Sequence, residues 1–114
     1  MSRIYLNDLC TEAHERAKNA GWWDKERNQG EMIALIHSEI SEALEGIRKD
    51  KMDDHLPHRK SVEVEFADAI IRMADFAGRY GMDLEGAIRE KMEYNAQRAD
   101  HKRENRAKEG GKKF

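Results

Sequence analysis

The sequence predicts an all-α fold, a four-helix core of up-down type, from three observations. Charged residues make up 39% of the 114, equal to the hydrophobic 39%, where an ordinary domain is about a quarter charged. Apolar side chains must then gather in narrow stripes, and these recur with helical spacing. Glycines are few, the single proline falls in a polar connector, and there are almost no β-branched runs. The length allows one domain with a modest core. A small, highly charged helical chain is expected to complete that core by oligomerising.

The first helix is expected from Asn7 to Ala20, with Leu6, Leu9, Cys10, Ala13, Ala17 and Ala20 on one face, Asn7 as cap and Gly21 as stop. The loop GWWDKERNQG follows. Asn28 and Glu31 then form an approximate capping box for a second helix, Gln29 to Lys49. Its apolar arc holds Met32, Ile33, Ile36, Ile40, Ala43, Leu44 and Ile47. Glu39 borders that arc and Glu42 lies a little beyond it. After a polar connector, a third helix is expected to start between Pro57 and Ser61 and to reach Tyr80, stopped by Gly81. Val62, Phe66, Ala69, Ile70, Met73, Phe76, Ala77 and Tyr80 form its core stripe, flanked by Glu65, Arg72, Asp68 and Asp75. Asp83 caps a fourth helix through Leu84, Ile88 and Met92 toward Arg103. Asn95 falls inside its apolar arc, with Lys91 and Arg98 at the edge. Residues 1–101 form the expected domain, and 102–114 a charged tail that frays in the absence of a partner.

Composition narrows the function classes. A net charge of −2 gives no basic excess to hold nucleic acid or an anionic membrane. No segment approaches the roughly 20 apolar residues of a membrane span, and the N-terminus lacks an apolar signal core. One cysteine, Cys10, leaves no internal disulfide and suits a reducing compartment, so a cytoplasmic protein is expected. Spacing places no histidine to activate Cys10 as a nucleophile, and there is no glycine-rich phosphate loop.

The chemistry lies in Glu39-x-x-Glu42 and Glu65-x-x-Asp68. Residues three apart on a helix are neighbours, so each pair presents two carboxylates side by side. Two such helices in contact would bring four carboxylates together, a cluster that needs protons or hard cations as compensation. Either pair alone is commonplace on a solvated helix; the shared design of the two helices is what points to a site. Lys91, Asn95 and Arg98, at i, i+4 and i+7, line one side of the fourth helix and can donate to phosphate oxygens. Asn95 also reads as a structural amide bonded to water. Trp22 and Trp23 are either core anchors or a stacking platform for a nucleobase. His14 is either a surface residue or part of the same pocket. A di-iron carboxylate site would want Glu-x-x-His on two helices, and the sequence has none.

With its 22-residue spacer, the pattern Glu39-x-x-Glu42…Glu65-x-x-Asp68 resembles the signature of the MazG-like all-α NTP pyrophosphohydrolases, and Lys91-x3-Asn95-x2-Arg98 is similar to their distal motif. The spacing of His14, Trp23 and LIHSEISEALEGIR is most similar to the small single-domain members, including the dCTP-pyrophosphatase-like branch. The resemblance implies Mg²⁺-dependent hydrolysis of a nucleoside triphosphate to monophosphate and pyrophosphate, with Mn²⁺ as a substitute metal. It implies Glu39, Glu42, Glu65 and Asp68 as metal ligands, with Glu39 or Glu42 helping to activate water. Lys91, Asn95 and Arg98 would hold phosphates, and His14 with Trp23 would contact base or sugar. A homodimer or homotetramer is implied as well. One departure stands out: Ser38 occupies a position where many members carry a further glutamate.

Overall fold

The structure, a computed structural model, describes residues 3–98. Those residues form four helices and no strand: α1 (Leu6–Asn19), α2 (Gln29–Arg48), α3 (Ser61–Arg79) and α4 (Leu84–Gln97). The chain divides into two compact units, Met1–Met82 and Asp83 onward. In the first unit α3 is central, with α1 and α2 both packed against it. None of these helices is long and apolar enough to cross a membrane.

Local chemistry sets most helix ends. Gly21 (φ 89°) and Gly81 (φ 63°) adopt the left-handed turn that closes α1 and α3. Trp22 N–H returns to the Ala17 carbonyl, and Met82 N–H to that of Ala77. Asn28 accepts from Glu31 N–H at 3.0 Å, and Asp83 accepts from Gly86 N–H at 2.9 Å. At α3 the Glu63 carboxylate accepts from Lys60 N–H at 3.2 Å.

Two ends differ from the sequence reading. α1 begins one residue early with Tyr5 at its N-cap and no side-chain cap bond, so Asn7 is not the cap. Instead its carbonyl accepts from the Thr11 hydroxyl. α4 stops at Gln97, since Arg98 turns extended (φ −66°, ψ 134°), short of Arg103. The tail reading for 102–114 falls outside the described residues.

The core is narrower than the stripes implied. Its buried apolar residues are Cys10, Ala13, Met32, Ala43, Ala69, Ala74 and Ala77, mostly small. Small side chains let backbones approach: a Cβ on Gly78 would collide with the Cys10 carbonyl and stand 2.8 Å from His14 Cβ. That contact fixes where α1 crosses α3. The expected core residues Ile33, Ile40, Leu44 and Ile47 of α2, and Phe66, Ile70 and Met73 of α3, are each about two-fifths exposed or more. The reason is geometric. A stripe spans more of the helix circumference than one neighbour covers.

The connector is ordered, although it reads as a polar loop. Met52 and Lys60 form an isolated antiparallel bridge. Asp53 is buried, and its Oδ2 accepts from the His55 and Leu56 N–H groups at 2.9 and 2.8 Å.

Candidate functional site

α2 and α3 bring Glu39, Glu65 and Asp68 together, each offering a carboxylate oxygen within 4.8 Å of the others. Among the described residues this is the group of metal-ligating side chains that converges. The i, i+3 spacing on α3 puts Glu65 and Asp68 on adjacent turns, and the packing of α2 on α3 carries Glu39 to them. Glu42 does not join the three. It is exposed and lines a neighbouring cleft of about 360 Å³ with Glu45, Lys49, Lys51, Asp53 and Glu65.

The electrostatics show a cluster short of positive charge. Partial burial pushes the Glu65 carboxyl up to about 7, helped by a hydrogen bond with Glu39 and by the charges of Glu39, Glu42 and Asp68. Asp68 is also raised, by burial first and then by Glu39, while Arg72 acts in the opposite direction. The Arg72 guanidinium meets part of that charge, its Nε donating to Glu39 Oε1 at 3.1 Å. An all-carboxylate donor set around a charge deficit suits a hard divalent cation such as Mg²⁺ or Mn²⁺.

Beside the three acids opens a cleft of about 450 Å³, lined by Glu39, Asp68, Arg72 and Asp75, by Arg16 and Arg27, and by Trp22 with small residues of α1. Neither His14 nor Trp23 lines it. They form its support: His14 Nδ1 and Trp23 Nε1 both donate to Asp75 Oδ1 at 2.9 Å. The Trp23 ring meets His14 edge-on with centroids 5.4 Å apart, and Tyr80 at 6.3 Å. Arg79 lies 5.0 Å from the Trp23 centroid and Arg27 5.5 Å. Trp22 is 58% exposed, with Arg27 5.6 Å from its centroid. Of the two tryptophans, Trp23 is the anchor and Trp22 the open face.

α4 belongs to the second unit. Within it Tyr94 gathers the basic side chains, with Lys91 Nζ 4.7 Å and Arg98 Cζ 5.9 Å from its ring centroid. Arg98 also donates to Asn95 Oδ1 at 3.4 Å, so the three expected phosphate-binding residues form one local cluster.

Spacing placed Asp75 on the flank of the α3 stripe without giving it a role, and did not single out Asp53. Asp75 had a signal, since Asp68, Arg72 and Asp75 recur at i, i+4 and i+7 on one face. Asp53 had none, because its burial depends on how the connector folds back. No family model matches the chain, and neither does any curated protein or solved structure.

Proposed function

We propose that the protein is a Mg²⁺-dependent nucleoside triphosphate pyrophosphohydrolase, releasing a nucleoside monophosphate and pyrophosphate. The observation that carries this reading is the meeting of Glu39 from α2 with Glu65 and Asp68 from α3. Their chemistry fits the cation: oxygen donors only, and a charge deficit that the Arg72 guanidinium offsets in part. Glu39, Glu65 and Asp68 would hold the metal, with Glu42 beside them on the second cleft. A divalent cation bound there supplies charge neutralisation for a polyphosphate and a lowered pKa for water.

The chain's own groups account for the rest. Glu39, with only 15% of its side chain exposed, would accept a proton from water at the α-phosphate, and Glu42 is the alternative base. Arg16 and Arg27 of the larger cleft would give phosphates charge-assisted partners. Lys91, Asn95 and Arg98, which cluster around Tyr94 within the second unit, carry donors of the kind that phosphate oxygens accept. Base and sugar are assigned to the Trp22–Trp23 end, where His14 and Asp75 hold Trp23 in place. This is catalysis by positioning and electrostatics.

The exposed apolar residues of α2 and α3 support a further part of the reading, a homodimer or homotetramer that completes the bundle. Large apolar side chains left exposed in such number are a feature of surfaces that make protein–protein contacts.

The test is a panel of NTPs and dNTPs with Mg²⁺, scored for monophosphate plus pyrophosphate against diphosphate plus phosphate. Monophosphate from the wild type, lost in Glu39→Ala and Asp68→Ala while both stay helical, is the expected result. Full turnover in either variant refutes the assignment. A non-catalytic helical oligomer is the competing reading, favoured by the same exposed apolar face. It predicts no rise in melting temperature with Mg²⁺ and a triphosphate over NaCl of equal ionic strength.

A further inference from the structure

We propose that Arg72 is a resident counter-ion, displaced from Glu39 when a divalent cation enters the carboxylate cluster, and that its freed guanidinium then binds substrate phosphate in the adjoining cleft. The proposal rests on the metal-dependent reading above and assigns a residue that reading leaves without a role.

Arg72 sits one turn beyond Asp68 on the central helix α3. Its guanidinium lies at the boundary between two environments. On one side its Nε bonds Glu39 Oε1 at 3.1 Å. On the other it lines the cleft of about 450 Å³ that also holds Arg16, Arg27 and Trp22. Its side chain is 35% exposed, against 15% for Glu39, so the arginine has room to turn where the glutamate has little.

A dication among the three carboxylates would place two positive charges beside a third, at a separation where repulsion in a partly buried site is substantial. The Glu39 oxygen would gain a better partner and the guanidinium would lose its own. A polyphosphate in the cleft offers the replacement: Arg matches phosphate oxygens with a fork of donors, and such bonds are among the stronger ones in proteins. Arg72 would lose one contact on metal binding and gain another from phosphate. The two loadings are thereby coupled through a side chain anchored on the same helix as two of the proposed ligands.

A purely structural ion pair makes a different forecast, so the two readouts must move in opposite directions. The full chain and its Arg72→Gln and Arg72→Lys variants are titrated with Mn²⁺ alone by electron paramagnetic resonance. Inorganic tripolyphosphate is then titrated at saturating Mn²⁺ by calorimetry, which removes any dependence on base preference. Arg72→Gln should bind Mn²⁺ on the order of tenfold more tightly, since the competitor is gone. It should bind tripolyphosphate about tenfold to a hundredfold more weakly. Arg72→Lys, which keeps the charge and loses the fork, should match the wild type for Mn²⁺ and lose part of the tripolyphosphate affinity.

Mn²⁺ binding unchanged or weakened in Arg72→Gln overturns the displacement, and unchanged tripolyphosphate binding overturns the phosphate role. A wild type that binds Mn²⁺ and hydrolyses triphosphates beside an Arg72→Gln variant that behaves identically overturns this proposal alone. A wild type that binds no Mn²⁺ overturns it together with the pyrophosphohydrolase reading.

Discussion

Proton and metal compete for the same carboxylate, which makes the pH dependence of metal binding a quantitative test. The Glu65 carboxyl is raised to about 7 by burial and by its acidic neighbours. With that value Glu65 is about nine-tenths ionised at pH 8 and about one-tenth at pH 6. A ligand must be deprotonated to bind metal, so apparent Mn²⁺ affinity should fall about tenfold between those pH values on account of this one group. Calorimetry in two buffers of different ionisation enthalpy should record nearly one proton released per metal at pH 6 and few at pH 8. Stability of the metal-free chain has the opposite sense. Because the folded pKa lies above the unfolded one, the folded state holds the proton more tightly between them. The contribution is fully present below about pH 4.5 and is lost as pH rises through about 7. Glu65→Gln, neutral at every pH, should flatten both profiles. A wild type with no proton release at pH 6, or a Glu65→Gln variant that keeps the full tenfold slope, would refute the reasoning.

Three further outcomes follow from the packing. Gly78→Ala drives a methyl group into the Cys10 carbonyl and should cost about 1–3 kcal/mol, read as a lower denaturant midpoint. Asp75→Ala removes the acceptor shared by His14 and Trp23. Leaving both donors short of a partner should cost about 2–4 kcal/mol and alter the Trp23 fluorescence, while Asp75→Asn should lose less. Ile70→Asp, at a site already 46% exposed, should leave helix content unchanged and shift sedimentation toward the monomer; an unshifted boundary would mean that this face is not the contact.

Much of the fold was legible because each helix announces itself twice, by an apolar period and by a terminal residue with one job. Asn28, Asp83, Gly21 and Gly81 all act where their chemistry says they should. Tyr5 could not be read as a cap, since it makes no side-chain bond and α1 simply begins there. The carboxylate pairs were legible as pairs; which of the four would meet was not. A helical wheel gives direction around one axis only. It was the rotation of α2 against α3 that brought Glu39 into the cluster and left Glu42 on the next cleft. The Arg72–Glu39 bond spans 33 residues, a separation at which spacing carries no information. His14 and Trp23 likewise needed Asp75, far along the chain, to be seen as a hydrogen-bonded unit.

α3 explains why an exposed apolar face and a candidate site can coexist on so small a chain. At about 100° per residue, Phe66, Ile70 and Met73 fall within one arc of roughly 60°. Asp68, Arg72 and Asp75 fall within another, roughly on the opposite side of the helix. If the proposed assembly uses the first arc, substitutions there should change it without touching the carboxylates, and substitutions on the second arc should alter the cluster without unmaking that contact. The buried alanines Ala69, Ala74 and Ala77 occupy positions on and between these arcs of the helix that α1 and α2 pack against. Bulk at those positions would spread the helices and draw Glu39 away from Glu65 and Asp68. The small core thus favours the cluster, since close packing of α2 on α3 shortens the reach that Glu39 needs to bring its oxygen within 4.8 Å of those of Glu65 and Asp68.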